Sequence, residues 1–153
     1  MSKRIFLFYF NSFTFYLLIF LFTYTGISKM LDHATFEVTL LQSPLAKNYR
    51  TIISWTVPVI ELITVGFLLI EKSRRMGLWL SLFLMVVFTF YIGYMILFIP
   101  NLPCSCGGIL KELSWRNHLL LNGLILISIF ISLASLNNYK FFTAINRQSR
   151  IPV

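Results

Sequence analysis

The chain has 153 residues, of which 58% are hydrophobic, 17% aromatic and only 12% charged. Soluble domains carry about a quarter charged residues, so an ordinary water-facing surface is excluded, and the length points to one domain. The formal charge of +8 does not mark a nucleic-acid partner. The basic residues stand at the ends of apolar segments rather than in one stripe, and no phosphate loop, zinc-finger spacing or recognition motif accompanies them.

In chain order, Ser2, Lys3 and Arg4 precede a first apolar stretch over about 5–26. That stretch exceeds the 7–15-residue core of a cleaved signal peptide and has no small-residue cleavage site. A retained helix is predicted. The segment 28–50 is more polar, holding Asp32, His33, Glu37, Lys47 and Arg50. Within it Phe36, Leu40, Leu41 and Leu45 recur at roughly helical spacing, as in a short amphipathic helix or in an irregular connection with a few buried side chains.

Further spans are predicted over about 52–70, 78–99 and 118–136, each close to the 20 apolar residues that cross a bilayer. A compact turn, Glu71-Lys72-Ser73-Arg74-Arg75, separates the second from the third. The expected fold is an all-α integral membrane protein. A four-transmembrane-helix bundle occupies 1–136, with an outward-facing amphipathic segment between its first two helices, and a basic tail covers 137–153.

Four spans place both termini on the side of the 71–76 turn. That side carries eight Lys and Arg (residues 3, 4, 72, 74, 75, 140, 147 and 150) and the other carries five (29, 47, 50, 111 and 116). Basic residues are retained in the cytoplasm, and short loops weigh most. The expected placement is a bacterial inner membrane with both termini cytoplasmic and the 100–117 loop periplasmic.

That loop holds the chain's two cysteines, Cys104 and Cys106. A disulfide across C-x-C is a poor staple, because closing so short a loop gains roughly 1.6 kcal/mol in the chain-entropy treatment. Strained, exposed disulfides tend to be exchangeable, Gly107 and Gly108 supply the backbone freedom such a turn needs, and a dithiol outside the cytoplasm is free to be oxidised. Thiol–disulfide exchange is therefore the first reading. A structural or inert pair is the second. The third is a soft-metal site for Cu(I) or Zn completed by His118 or His33, although structural zinc sites usually space their cysteines by two to four residues.

Trp115, His118 and Asn122 share one helical face. On it His118 can lower a thiol pKa or relay a proton, and Asn122, one turn deeper, can orient it or bond a ligand. The alternative is an interfacial Trp-His belt with Asn122 bonded to a neighbouring helix. Glu61 lies near the middle of the second span, where an ionised side chain costs about 2.5–3.5 kcal/mol on insertion scales. It should face the bundle interior, either handling protons or a ligand or fixing one interhelical hydrogen bond. Pro58, one turn earlier on the same face, frees a backbone carbonyl. Lys29, Asp32 and His33 read first as a solvated helix end and second as partners of the cysteine loop, and Tyr91 and Tyr94 as lining of a flat apolar pocket.

With these residues assembled, the chain resembles the MauE/DoxX-type family of small four-helix membrane proteins. The likeness lies in TGISKMLD closing the first span, VPVIELITVG in the second, PCSCGG before the fourth, then W-x-x-H and Asn122. The resemblance implies redox work: Cys104 and Cys106 would exchange disulfides with a periplasmic thioredoxin-like protein or an exported substrate. A lipid quinone is the implied electron acceptor, near His118, Glu61, Trp115 and Asn122. Quinone-coupled oxidases of the related epoxide-reductase type use two cysteine pairs, whereas this chain has one. Either the pair does both jobs, or a partner supplies the second, or there is no electron relay. Two other functions belong to different classes: a non-catalytic membrane subunit that assembles partner proteins, and a soft-metal (Cu/Zn) binding or transport protein.

Overall fold

The computed structural model describes residues 3–98 and 115–148, and the side chains of 5–98 and 117–136. The described residues form five α-helices: α1 (Lys3–Leu31), α2 (His33–Leu41), α3 (Arg50–Leu69), α4 (Arg74–Phe98) and α5 (Trp115–Gln148). Single 3-10 turns, Lys47–Tyr49 and Glu71–Ser73, precede α3 and α4. No strand occurs among the described residues. Four helices are long and apolar enough to cross a membrane, over Ile5–Leu31, Lys47–Leu69, Glu71–Phe98 and Asn117–Leu136. The chain is an all-α membrane protein.

The long helices close a ring in which α1 packs on α3 and α5, and α4 packs on the same two. Each turns inward a stripe of residues three and four apart, the spacing that keeps side chains on one helical face. On α3 the stripe is Ser54, Pro58, Glu61, Val65 and Leu68; on α5 it is His118, Asn122, Ile125, Ile129 and Ser132. Leu18, Phe22, Leu68, Leu78, Met85 and Ile129 make the centre, each almost wholly buried. Phe8, Phe13, Tyr16 and Phe20 of α1 and Leu120, Leu124 and Phe130 of α5 point away from it and are exposed. Lipid is as apolar as these side chains, so exposure carries no penalty there and packing decides which residues go inside.

The element bounds differ from the sequence spans in two informative places. The first helix runs through Gly26 to Leu31 because Gly26 is a contact rather than a stop. A Cβ built there would lie 3.3 Å from Leu62 and 3.4 Å from the Pro58 carbonyl oxygen, so the missing side chain lets α1 approach α3. The last helix continues past Leu136 to Gln148, into the stretch read as a polar tail.

The segment between the first two spans is a helix. The chain bends at Asp32 (φ −111°, ψ 48°) but keeps its hydrogen bonds across the bend, Asp32 N–H to the Ser28 carbonyl and Phe36 N–H to the Asp32 carbonyl. The resulting α2 continues α1 and docks on the first turns of α3. Glu37 accepts from the Thr51 hydroxyl at 2.9 Å and pairs with Arg50 Nε at 3.3 Å, and the His33 and Trp55 rings lie 4.4 Å apart.

A candidate ligand cavity lined by five helices

Inside the ring, toward the end where α2 sits, the packing opens into a cavity of about 400 Å³ lined by side chains of all five helices. It exists because the inward stripes change character there. Below it the stripes carry Leu, Ile and Met with a few small hydroxyl residues, Thr14, Thr64, Ser81 and Ser132. At the cavity they carry Lys29 from α1, Glu61 from α3, Tyr91 from α4, and His118 and Asn122 from α5. The remaining wall is apolar, with Phe36 and Leu40 of α2 among it.

Glu61 is 0% exposed and Lys29 14%, and the Lys29 ammonium donates to Glu61 Oε1 at 2.5 Å. The same ammonium lies 5.2 Å from the Phe88 ring centroid and 5.8 Å from that of Phe36, within cation–π range. A charge of either sign alone at this depth would be heavily penalised; pairing and ring contact make it tolerable. The pair leaves Glu61 Oε2 buried, with no hydrogen-bond partner among the described residues. Thr25 is beside the carboxylate, but its hydroxyl donates to the Leu21 carbonyl at 2.9 Å.

Three of the residues singled out in the sequence, Glu61, His118 and Asn122, thus come together on one cavity, and His118 and Asn122 are both buried. Tyr91 lines it too, whereas Tyr94 stacks on Phe98 with centroids 4.8 Å apart. Trp115 opens α5, and its side chain lies outside the described residues. Cys104 and Cys106 also lie outside them; the segment that carries them leaves from Phe98 at the end of α4 and returns at Trp115.

Lys29 is a correction. It is no solvated helix end but the internal counter-charge of Glu61. The signal was present: Lys29 stands seven residues after Phe22 and four after Thr25, which puts it on the inward face of α1. His33 packs on Trp55 instead, and among the described residues no three His, Cys, Asp or Glu side chains group as a metal site.

A small apolar chamber with a few convergent polar groups is the usual form of a small-molecule site. This one offers a carboxylate acceptor, an ammonium donor, an imidazole and an amide. No curated protein and no solved structure matches the chain. A family model, that of methylamine utilisation protein MauE, matches residues 7–135 and so spans α2, α3, α4, most of α1 and the cavity-lining part of α5. The chain belongs to the MauE family.

Proposed function

We propose that this membrane protein is a thiol–disulfide redox protein of a bacterial inner membrane, passing oxidising equivalents to a periplasmic thioredoxin-like partner through Cys104 and Cys106. The observation that supports it most is the convergence of Glu61, His118 and Asn122 on one cavity, at the bundle end from which the cysteine-bearing segment departs and to which it returns. The count of basic residues supports a periplasmic position for that segment. Lys29, neutralised inside the bundle by Glu61, drops out of the periplasmic tally and leaves it four against eight.

In the exchange, a thiolate of the reduced partner attacks one sulfur of the Cys104–Cys106 disulfide. An intermolecular S–S bond forms as the internal one breaks, and the partner's second thiolate then displaces it. The partner leaves oxidised, and Cys104 and Cys106 are left as a dithiol, two electrons and two protons richer. We assign the accompanying proton transfer to His118, whose imidazole lines the cavity and carries a nitrogen that can take up a proton and one that can give it.

The cavity fits a quinone headgroup: Lys29 and Asn122 carry donors for carbonyl oxygens, and the apolar wall suits a ring. A lipid quinone bound there would supply the two-electron acceptor that returns the dithiol to the disulfide.

The test is substitution of each cysteine. Cys104→Ser or Cys106→Ser should trap or abolish a disulfide-linked partner adduct, read by non-reducing electrophoresis, and should lower the oxidised fraction of exported proteins in an alkylation mass-shift assay. Unchanged disulfides in both single variants would overturn the proposal.

A further inference from the structure

We propose that the cavity binds an apolar molecule with a hydroxyl head, whose O–H donates to Glu61 Oε2 while its oxygen accepts from Lys29 Nζ. The inference rests on the reading of the cavity as a ligand site; it does not depend on the cysteines.

The donor and acceptor inventory carries the argument. Glu61 is fully buried, lines the cavity, and has one oxygen engaged by Lys29 and the other without a partner among the described residues. A buried carboxylate oxygen lacking a donor is expensive to leave so. Thr25 stands within reach of the carboxylate, but its single proton goes to the Leu21 carbonyl at 2.9 Å, and turning it to Glu61 would give up that bond. On the other side, an ammonium has three N–H groups, and one of those of Lys29 goes to Glu61 Oε1.

A bound group must therefore give one hydrogen bond and take one. A carbonyl only takes, which leaves Oε2 unsatisfied. A carboxylate or phosphate would bring a second negative charge against Glu61. An ammonium would set a second positive charge against Lys29, between rings that Lys29 already occupies. A hydroxyl is the smallest neutral group that meets both demands. The apolar walls from Phe22, Phe36, Met85 and Phe88 then require an apolar body. The volume, about 400 Å³, is that of a site for a small molecule. For a quinone-type carrier the hydroxyl-bearing form is the reduced one, so the site would retain that form more tightly than the oxidised one.

The experiment titrates 4-propylphenol and its methyl ether, 4-propylanisole, into the full chain in lipid nanodiscs by calorimetry, with empty nanodiscs as blank. The ether cannot donate. It enters lipid at least as readily as the phenol, so bulk partitioning works against the expected result. The phenol should bind at least about 10-fold tighter, the range for a hydrogen bond to a charged group. In Glu61→Gln, the amide N–H₂ faces the cavity if its oxygen keeps the Lys29 bond, and the ratio should fall to near one. Should that variant not fold, Lys29→Gln/Glu61→Gln, which removes both charges, must show the same collapse.

An alkanol of equal length distinguishes the sources of the hydroxyl. Tighter phenol binding assigns the site to a ring-headed molecule, and tighter alkanol binding to a lipid alcohol; each supports the proposal provided the ether is the weaker ligand. Equal binding of phenol and ether to the wild type, or a preserved ratio in the Gln variants, would overturn it. The same titration on Cys104→Ser/Cys106→Ser should be unchanged. Binding with failed exchange would thus sink the redox reading alone, and exchange without hydroxyl selectivity would sink this one alone.

Discussion

At the end of the bundle where Glu71–Ser73 joins α3 to α4, Gly77 lets α4 lie directly on α3: a Cβ built there would stand 2.9 Å from both the Leu68 backbone nitrogen and its Cδ2. At the other end, Gly26 serves the same purpose between α1 and α3, yet just beyond it the stripes turn from Leu and Ile to Lys29, Glu61, His118 and Asn122, and the helices part around a cavity. The helices are the same, and so is the apolar exterior. What differs is the inward stripe. Where it is apolar or carries only small hydroxyls, close packing supplies most of the contact energy in lipid, with one interhelical bond from Asn11 to Ser135. Where it is charged, each group needs a partner and room for one, and the packing opens.

The comparison can be broken at either end. The largest effect is expected from Glu61→Ala, which strands the Lys29 ammonium. Removing one member of a buried pair costs about 3–5 kcal/mol, measurable as a lowered midpoint in denaturant titration of the detergent-solubilised protein. Lys29→Met/Glu61→Leu should recover most of that loss, because an apolar pair of similar size avoids the desolvation penalty. It should not recover ligand binding. If the double variant is as unstable as the single, the pair is not the reason for the loss.

Next comes Gly77→Val at the close-packed end. One of the two nearest atoms, the Leu68 nitrogen, is backbone and cannot swing aside, so overpacking of about 1–3 kcal/mol follows, read by the same titration. Phenol binding at the cavity should be unaffected once folded protein is normalised. A loss of binding there would show that the two ends are not independent.

The smallest effect is expected at the anchor of α2 on α3. Glu37→Gln weakens the contacts from α2 to Arg50 and Thr51, and the Arg50 side chain is 44% exposed. Exposed pairs of this kind contribute about 0.2–1 kcal/mol. The overall midpoint should barely move, while amide exchange in α2, followed by mass spectrometry, should rise more than in α3.

Much of the fold was readable from composition and apolar run length, since a backbone in lipid must satisfy its own hydrogen bonds and a helix does so locally. Glu61 was readable for the same reason: a carboxyl in the middle of an apolar span has to turn inward. His118 and Asn122 were readable from their spacing on one helical face. Lys29 was misjudged because it stands close to a cluster of polar residues after the first span, and nearness in sequence outweighed its register with Phe22. The bend at Asp32 and the docking of α2 on α3 were not readable either. An apolar residue every three or four positions describes a helix lying on a bilayer as well as one packed on a neighbour.

The amino-acid sequence by itself determined that four helices cross the membrane and which residues they turn inward, because both follow from local periodicity and the absence of water. Only the tertiary structure decided that Lys29 is the counter-charge of Glu61 and that the polar positions of four helices, with α2 as a further wall, line one chamber. Those facts depend on the depth at which each helix passes its neighbours, which two glycines and a bend set between segments far apart in the chain and which no single helix encodes.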